Sequence, residues 1–238
     1  MRNMIIASTS TLYGAGFLEY LIPELMTRFE ELQLKELLFV PYARPGGLSY
    51  DAYTAKVAQA LKSINMHVTG LHAHADPANA IRDAQAIFTG GGNTFALVKT
   101  LHDLDCMQAL RKAMYKGTFY LGTSAGSTIC GLNMRTTNDM PVVMPSSFKT
   151  TGALGYNLNP HYEDPVAGSV HMGETREQRI REFHCHNTIP VVGLREGSYI
   201  NVRENNELLC GGLTARIFVK DQPAIEVAPG YDFRTLTA

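Results

Sequence analysis

The chain has no tryptophan, only four cysteines, and no excess of either charge: 21 lysines and arginines stand against 22 aspartates and glutamates, for a net charge of −1. Cys106, Cys130, Cys185 and Cys210 lie far apart and form no Cys-x-x-Cys pair. That argues against a zinc ribbon or a disulfide scaffold and suits a reducing compartment; the four read as small buried apolar residues. Basic residues are not clustered, so there is no electrostatic case for binding nucleic acid or an anionic membrane. Long apolar runs are missing too. None approaches the roughly 20 residues of a membrane span, and the stretch around Met4–Ala7 is too short for a secretory signal. A cytoplasmic protein without metal or cofactor is expected.

What is present is ordinary globular material, 45% hydrophobic over 238 residues. A chain of this size removes roughly 70 to 75% of its unfolded surface from water on folding, enough for a core without covalent staples. No linker, repeat or low-complexity tract divides it, so one domain over 1–238 is expected. In the first half, short apolar runs alternate with helical patterns. Strands are expected at Met4–Ala7, Glu36–Pro41, Met66–Leu71 and Ala86–Thr89, and helices at Gly16–Leu34, Ser49–Asn65, Asp76–Asp83, Asn93–His102 and Asp105–Tyr115. Pro23 must start, kink or split the first helix, and Asp76-Pro77 reads as an N-cap with proline at the first helical position. Such alternation with nearly all-apolar strands specifies an α/β fold, a mostly parallel central sheet with helices on both faces. Beyond residue 130 short strands dominate: Met140–Met144, Tyr156–Leu158, Pro190–Leu194, Tyr199–Arg203, Glu207–Cys210, Ala215–Val219 and Ala224–Val227, with one helix at Glu174–His184. Asn205-Asn206 and Gly211-Gly212 read as hairpin turns, so antiparallel strands should be added in the C-terminal part, to the same sheet or a small side sheet.

Chemistry enters at Gly122-Thr123-Ser124-Ala125-Gly126, which follows the apolar run Thr118–Leu121. Strand, abrupt turn and helix start, with a serine at the apex and small neighbours, is how a fold pushes one hydroxyl into a cleft, which makes Ser124 a candidate nucleophile. A serine hydroxyl needs a base. His67, His72, His74 and His102 read as surface or structural histidines, and His184 and His186 flank Cys185 without the ligand spacing of a metal site. His161 differs in following a stiffening proline, in Asn159-Pro160-His161. Asp139, Glu163 and Glu196 are the candidate acids to orient it, and spacing does not rank them. Acyl chemistry also asks for two N–H donors at the developing oxyanion. The amide of Ala125 is one, and an amide of Gly91 or Gly92 in Gly90-Gly91-Gly92-Asn93 is the other. That glycine run lacks the lysine of a P-loop and the spacing of a dinucleotide fingerprint.

Together with Arg135-Thr136-Thr137-Asn138-Asp139-Met140-Pro141 and Gly173-Glu174-Thr175-Arg176-Glu177, these motifs resemble the peptidase E (α-aspartyl dipeptidase) family from near residue 4 to beyond residue 220. The resemblance implies a serine peptidase on a class I glutamine amidotransferase-like, flavodoxin/Rossmann-like fold, cutting Asp-X dipeptides. It implies Ser124 as nucleophile, His161 as base, Asp139 as triad acid with Glu196 as the alternative, and Arg176 as the residue pairing with the substrate's aspartate side chain. It does not support Glu163. A cyanophycinase-like hydrolase of aspartyl-arginine and a non-catalytic ligand-binding module are the alternative readings. The oligomeric state, monomer or homodimer, is left open by the sequence.

Overall fold

The computed structural model describes residues 1–165, 168, 170 and 172–236. Its main sheet has seven strands. Four helix-linked strands, β1 (Arg2–Ala7), β2 (Glu36–Val40), β3 (His67–Gly70) and β4 (Ala86–Thr89), are joined by β5 (Phe119–Thr123) in one parallel set ordered β3-β2-β4-β5-β1. Side chains alternate faces along each strand, and this sheet is buried on both. Met4, Ile6, Leu38, Val40, Ile87 and Tyr120 point into one core; Ile5, Ala7, Leu37, Phe39, Phe88 and Leu121 point into the other. The second core is closed by α1 (Ile22–Glu31) and α2 (Tyr50–Leu61), through Leu25, Phe29, Tyr53, Val57 and Leu61. The first is closed by α3 (Pro77–Asp83), α4 (Thr94–Asp103) and α5 (Cys106–Lys116), and by a short helix α6 (Ala125–Thr128).

Local chemistry sets the boundaries. Pro23 starts α1 at its first turn instead of kinking a longer helix, which shortens the expected Gly16–Leu34 span. Asp76 caps α3 by accepting the Asn79 N–H, and Asn93 caps α4 by accepting the Ala96 N–H.

The C-terminal part supplies both kinds of addition. After β6 (Asn157–Pro160), α7 (Arg176–His186) and β7 (Val191–Leu194), the strand β8 (Ser198–Glu204) extends the main sheet antiparallel to β1, and β9 (Asn206–Gly211) pairs antiparallel with β8. The strands β10 (Ala215–Phe218) and β11 (Ile225–Val227) complete a second sheet of four, ordered β11-β10-β7-β6. Leu158, Val192, Leu194 and Ile217 of this sheet share a core with Met4 and Ile6 of the first. Two expectations fail here. Gly211-Gly212 is not a hairpin turn, because the chain leaves β9 and crosses to the second sheet, where β10 pairs β7 and β11. Met140–Met144 is not a strand: Met140, Val142 and Met144 are exposed, and Pro141 and Pro145 deny a ladder its donors.

Register brings the strand ends to one rim. Ala7 pairs with Thr123 and Thr89 with Gly122, so Ser8, Ser124 and the Gly90–Gly92 run leave the sheet side by side. In the second sheet β6 and β7 run parallel with Pro160 opposite Leu194, which brings out His161 beside the turn that carries Glu196.

Candidate active site

Ser124 links β5 to α6 with φ 54° and ψ −112°, a backbone state that a residue with a Cβ resists. The corner survives because its surroundings overdetermine it. Its N–H donates to the Ala7 carbonyl (3.2 Å), and the Ser127 hydroxyl donates to the same oxygen (2.6 Å). A Cβ on Gly126 would run into the Thr89 carbonyl, so only glycine lets α6 approach β4 this closely.

His161 stands opposite, also at positive φ (53°). Asn159 and Pro160 before it are the last two residues of β6. Four buried or partly buried hydrogen bonds hold the backbone around the histidine. Its N–H donates to the Ser8 hydroxyl (2.8 Å), which donates onward to the Leu194 carbonyl (2.7 Å). Asn138 donates to the Pro160 carbonyl (2.8 Å), and Asn159 braces Asn138 by donating to its side-chain oxygen (2.8 Å).

The ring of His161 bridges two side chains. Nε2 lies 2.8 Å from Ser124 Oγ, and Nδ1 lies 2.6 Å from Glu196 Oε1. A carboxylate only accepts, so Nδ1 carries the proton and Nε2 is left to accept from the Ser124 hydroxyl. Hydroxyl, imidazole and carboxylate in this line form a proton-withdrawing relay aimed at one oxygen. Glu196 sits in the turn between β7 and β8, closed by the Ser198 N–H donating to the Arg195 carbonyl (3.0 Å). Arg195 anchors that turn, pairing with Asp164 (2.7 Å) and Glu226 (2.5 Å) and donating to the Thr214 carbonyl (2.9 Å). Burial acts to raise the Glu226 carboxyl, but the bonds from Arg195 and Thr214 outweigh it and hold its pKa below the ordinary value.

The glycine run lies against the same corner, where a Cβ on Gly91 would sit 3.5 Å from Ser124 Oγ. Among the described residues the amides of Gly91, Gly92 and Ala125 have no hydrogen-bond partner, whereas the flanking Gly90 and Asn93 amides donate to Val40 and Ala43 carbonyls.

A strained serine corner, its imidazole and unpaired amides beside it point to a hydrolase, and the comparisons decide which kind. The family model described as Peptidase family S51 matches residues 4–209. The chain belongs to peptidase family S51. It is 42% identical over 236 residues to a Drosophila melanogaster protein named probable alpha-aspartyl dipeptidase, covering 99% of this chain and 97% of that one. It is 42% identical over 234 residues to peptidase E of Streptomyces coelicolor, covering 98% and 94%. The crystal structure of a peptidase from an acI-B1 actinobacterium superposes with a TM-score of 0.72 at 15% identity, over 98% of this chain and 96% of that one, a likeness of fold.

In this S51 chain the expectation that Asp139 orients His161 fails. The Asp139 carboxylate accepts from the Thr94 N–H (2.7 Å), the Thr94 hydroxyl (2.6 Å) and the Thr137 hydroxyl (2.9 Å). It sits at the N-terminus of α4, where the helix dipole and an orphan amide both favour a carboxylate. Glu196 occupies the position at Nδ1 instead. Glu163 is exposed and makes no described contact with His161. Arg176 opens α7, half-buried, and forms no ion pair among the described residues; Thr175 and Gln178 make the capping box that starts this helix. Arg181 pairs with Glu177 (2.6 Å) and Arg179 lies 3.8 Å from Glu174. His184 is buried with Nε2 3.0 Å from the Ile189 carbonyl, and no group of three or more His, Cys, Asp or Glu suited to a metal occurs among the described residues. Cys106 and Cys130 are buried, but Cys185 is exposed and Cys210 half-buried, which corrects the expectation for those two. Among the described residues no helix is long and apolar enough to cross a membrane.

Sequence reading missed the supporting residues Ser8, Asn138, Asn159 and Arg195. The only signal for Ser8 was a small polar residue directly after an apolar strand, and the structure buries it completely.

Proposed function

We propose that this S51 peptidase hydrolyses dipeptides with an N-terminal aspartate, through an ester formed on Ser124. One observation carries the reading: His161 lies within hydrogen-bond distance of both the Ser124 hydroxyl and the Glu196 carboxylate. The names borne by the Drosophila and Streptomyces relatives support the choice of substrate. Ser124 Oγ attacks the carbonyl carbon of the aspartyl residue while its proton passes to His161 Nε2. The amides of Ala125 and of Gly91 or Gly92 receive the negative oxygen, and each such donor contributes on the order of 3 to 4 kcal/mol in comparable sites. The C–N bond then breaks and His161 returns the proton to the leaving amine. Water, deprotonated by the same imidazole, cleaves the ester and frees aspartate and Ser124. Glu196 keeps the Nδ1 proton in place and offsets the imidazolium charge. Arg176, whose planar fork suits a carboxylate, pairs with the aspartate side chain. The cytoplasm, where the thiols stay reduced, is the proposed site of action.

A panel of X-Leu dipeptides with Asp, Glu, Asn, β-Asp and Ala at X tests this, run on the wild type, Ser124→Ala and Arg176→Ala. Expected is strong preference for Asp-Leu by the wild type with at most a trace of Ala-Leu turnover, none of either by a folded Ser124→Ala, and for Arg176→Ala a far larger loss on Asp-Leu than on that Ala-Leu trace. Normal turnover by Ser124→Ala defeats the mechanism. Preference for β-Asp favours the cyanophycinase-like alternative, and equal losses on both substrates remove Arg176 from specificity.

A further inference from the structure

We propose that Tyr53 and Arg44 are positioning residues that clamp the Gly91–Gly92 peptide, holding its N–H toward Ser124 as an oxyanion donor. The proposal rests on the reading of Ser124 as nucleophile and assigns a task to two residues outside the relay.

The Gly91 carbonyl accepts from the Tyr53 hydroxyl (3.1 Å) and from Arg44 Nε (3.3 Å). Tyr53 comes from α2 and Arg44 from the segment after β2. In a trans peptide the C=O and the following N–H point in opposite directions. Drawing the Gly91 oxygen toward α2 therefore turns the Gly92 N–H the other way, and that N–H has no protein partner among the described residues. Ser124 lies beside the same unit. A Cβ on Gly91 would sit 2.9 Å from Ser124 Cβ and 3.5 Å from Ser124 Oγ.

The clamp answers a weakness of the sequence. Two adjacent glycines are the pair whose shared peptide flips most readily, since neither has a Cβ to forbid the alternative φ and ψ. A flip would place the Gly91 oxygen, instead of the Gly92 N–H, before a developing negative charge. Two donors on one oxygen, one of them from a charged group, oppose it. The donors are themselves fixed. Tyr53 is buried and edge-packed on Phe39, with ring centroids 4.8 Å apart, and the Arg44 guanidinium lies 5.0 Å over the Tyr53 ring. Burial pushes the Tyr53 phenol up, against the opposing pull of Arg44, so it remains a donor at neutral pH. Donors already in place cost no reorganisation when charge develops.

The experiment compares Tyr53→Phe, Arg44→Met and the double variant with the wild type in Asp-Leu hydrolysis, alongside thermal unfolding and binding of an aspartyl boronic acid, whose tetrahedral adduct mimics the oxyanion. Expected are kcat losses of about tenfold or less for each single change and of roughly a hundredfold for the double. KM should stay within about twofold, melting should be little changed, and boronate affinity should weaken in parallel with kcat. Phe keeps the ring packing of Tyr53, and Arg44→Met alters a half-buried loop side chain, so loss of folding does not obscure the result. Unchanged kcat in the double variant, or an effect confined to KM, overturns the clamp. An active Ser124→Ala in the same assay overturns the underlying reading instead, so the two failures are distinguishable.

Discussion

Ser8 carries no charge, is wholly buried and yet holds the site together. Its hydroxyl takes the His161 N–H and gives its own proton to the Leu194 carbonyl, so one oxygen ties the end of β1 to the ends of β6 and β7. His161 sits at positive φ, a state costing on the order of 1 to 3 kcal/mol that persists only where neighbours enforce it. Ser8→Ala removes the acceptor of the partly buried His161 N–H and the donor to the Leu194 carbonyl, at a further cost of about 1 to 3 kcal/mol. Urea unfolding is expected to show that loss, with kcat for Asp-Leu falling as the imidazole relaxes away from Ser124. Wild-type stability together with wild-type kcat would show that the His161 backbone needs no such support. A small polar residue after an apolar strand is the one local signal of this role, because both partners of Ser8 lie more than 150 positions away.

Among the elements, α4 explains why Asp139 misleads. A carboxylate flanked by Thr137, Asn138 and a proline looks poised for catalysis in sequence, and its motif belongs to the family resemblance. Its physical task is to close the first turn of α4, binding the Thr94 N–H and hydroxyl while Asn93 supplies the cap. That places Asn138 where it can grip the Pro160 carbonyl, so the segment supports His161 from a distance. Asp139→Asn is expected to cost about 1 kcal/mol of stability, as the charge at a helix N-terminus is lost, and to keep Asp-Leu hydrolysis within about tenfold. Denaturant titration with steady-state kinetics checks both. Near-abolition of activity at undiminished stability would return Asp139 to the proton relay.

Over the whole molecule, the two halves of the chain divide the chemistry. The parallel sheet supplies Ser8, the glycine run and Ser124 at the carboxyl ends of its strands, where such sheets place their ligands. The second sheet supplies His161 and Glu196 from two parallel strands in register. The first contribution was legible in sequence, because apolar strands of four to six residues alternating with capped helices leave little choice of architecture. The second was not. It depends on β6 pairing with β7 across more than 30 residues, and on β10 joining that sheet instead of turning back on β9, neither of which local patterning encodes. For the same reason Asp139, Glu163 and Glu196 could not be ranked until the turn after β7 was placed beside His161. What unites the halves is a single reactive oxygen, and covalent trapping tests it most directly. The wild type is titrated with a serine-directed fluorophosphonate, residual Asp-Leu hydrolysis is followed, and the labelled site is mapped by peptide mass spectrometry. Expected is one label per chain, on Ser124, with activity lost in proportion to labelling; full labelling of Ser124 with activity retained, or inactivation with the label on another residue, would contradict a catalytic Ser124.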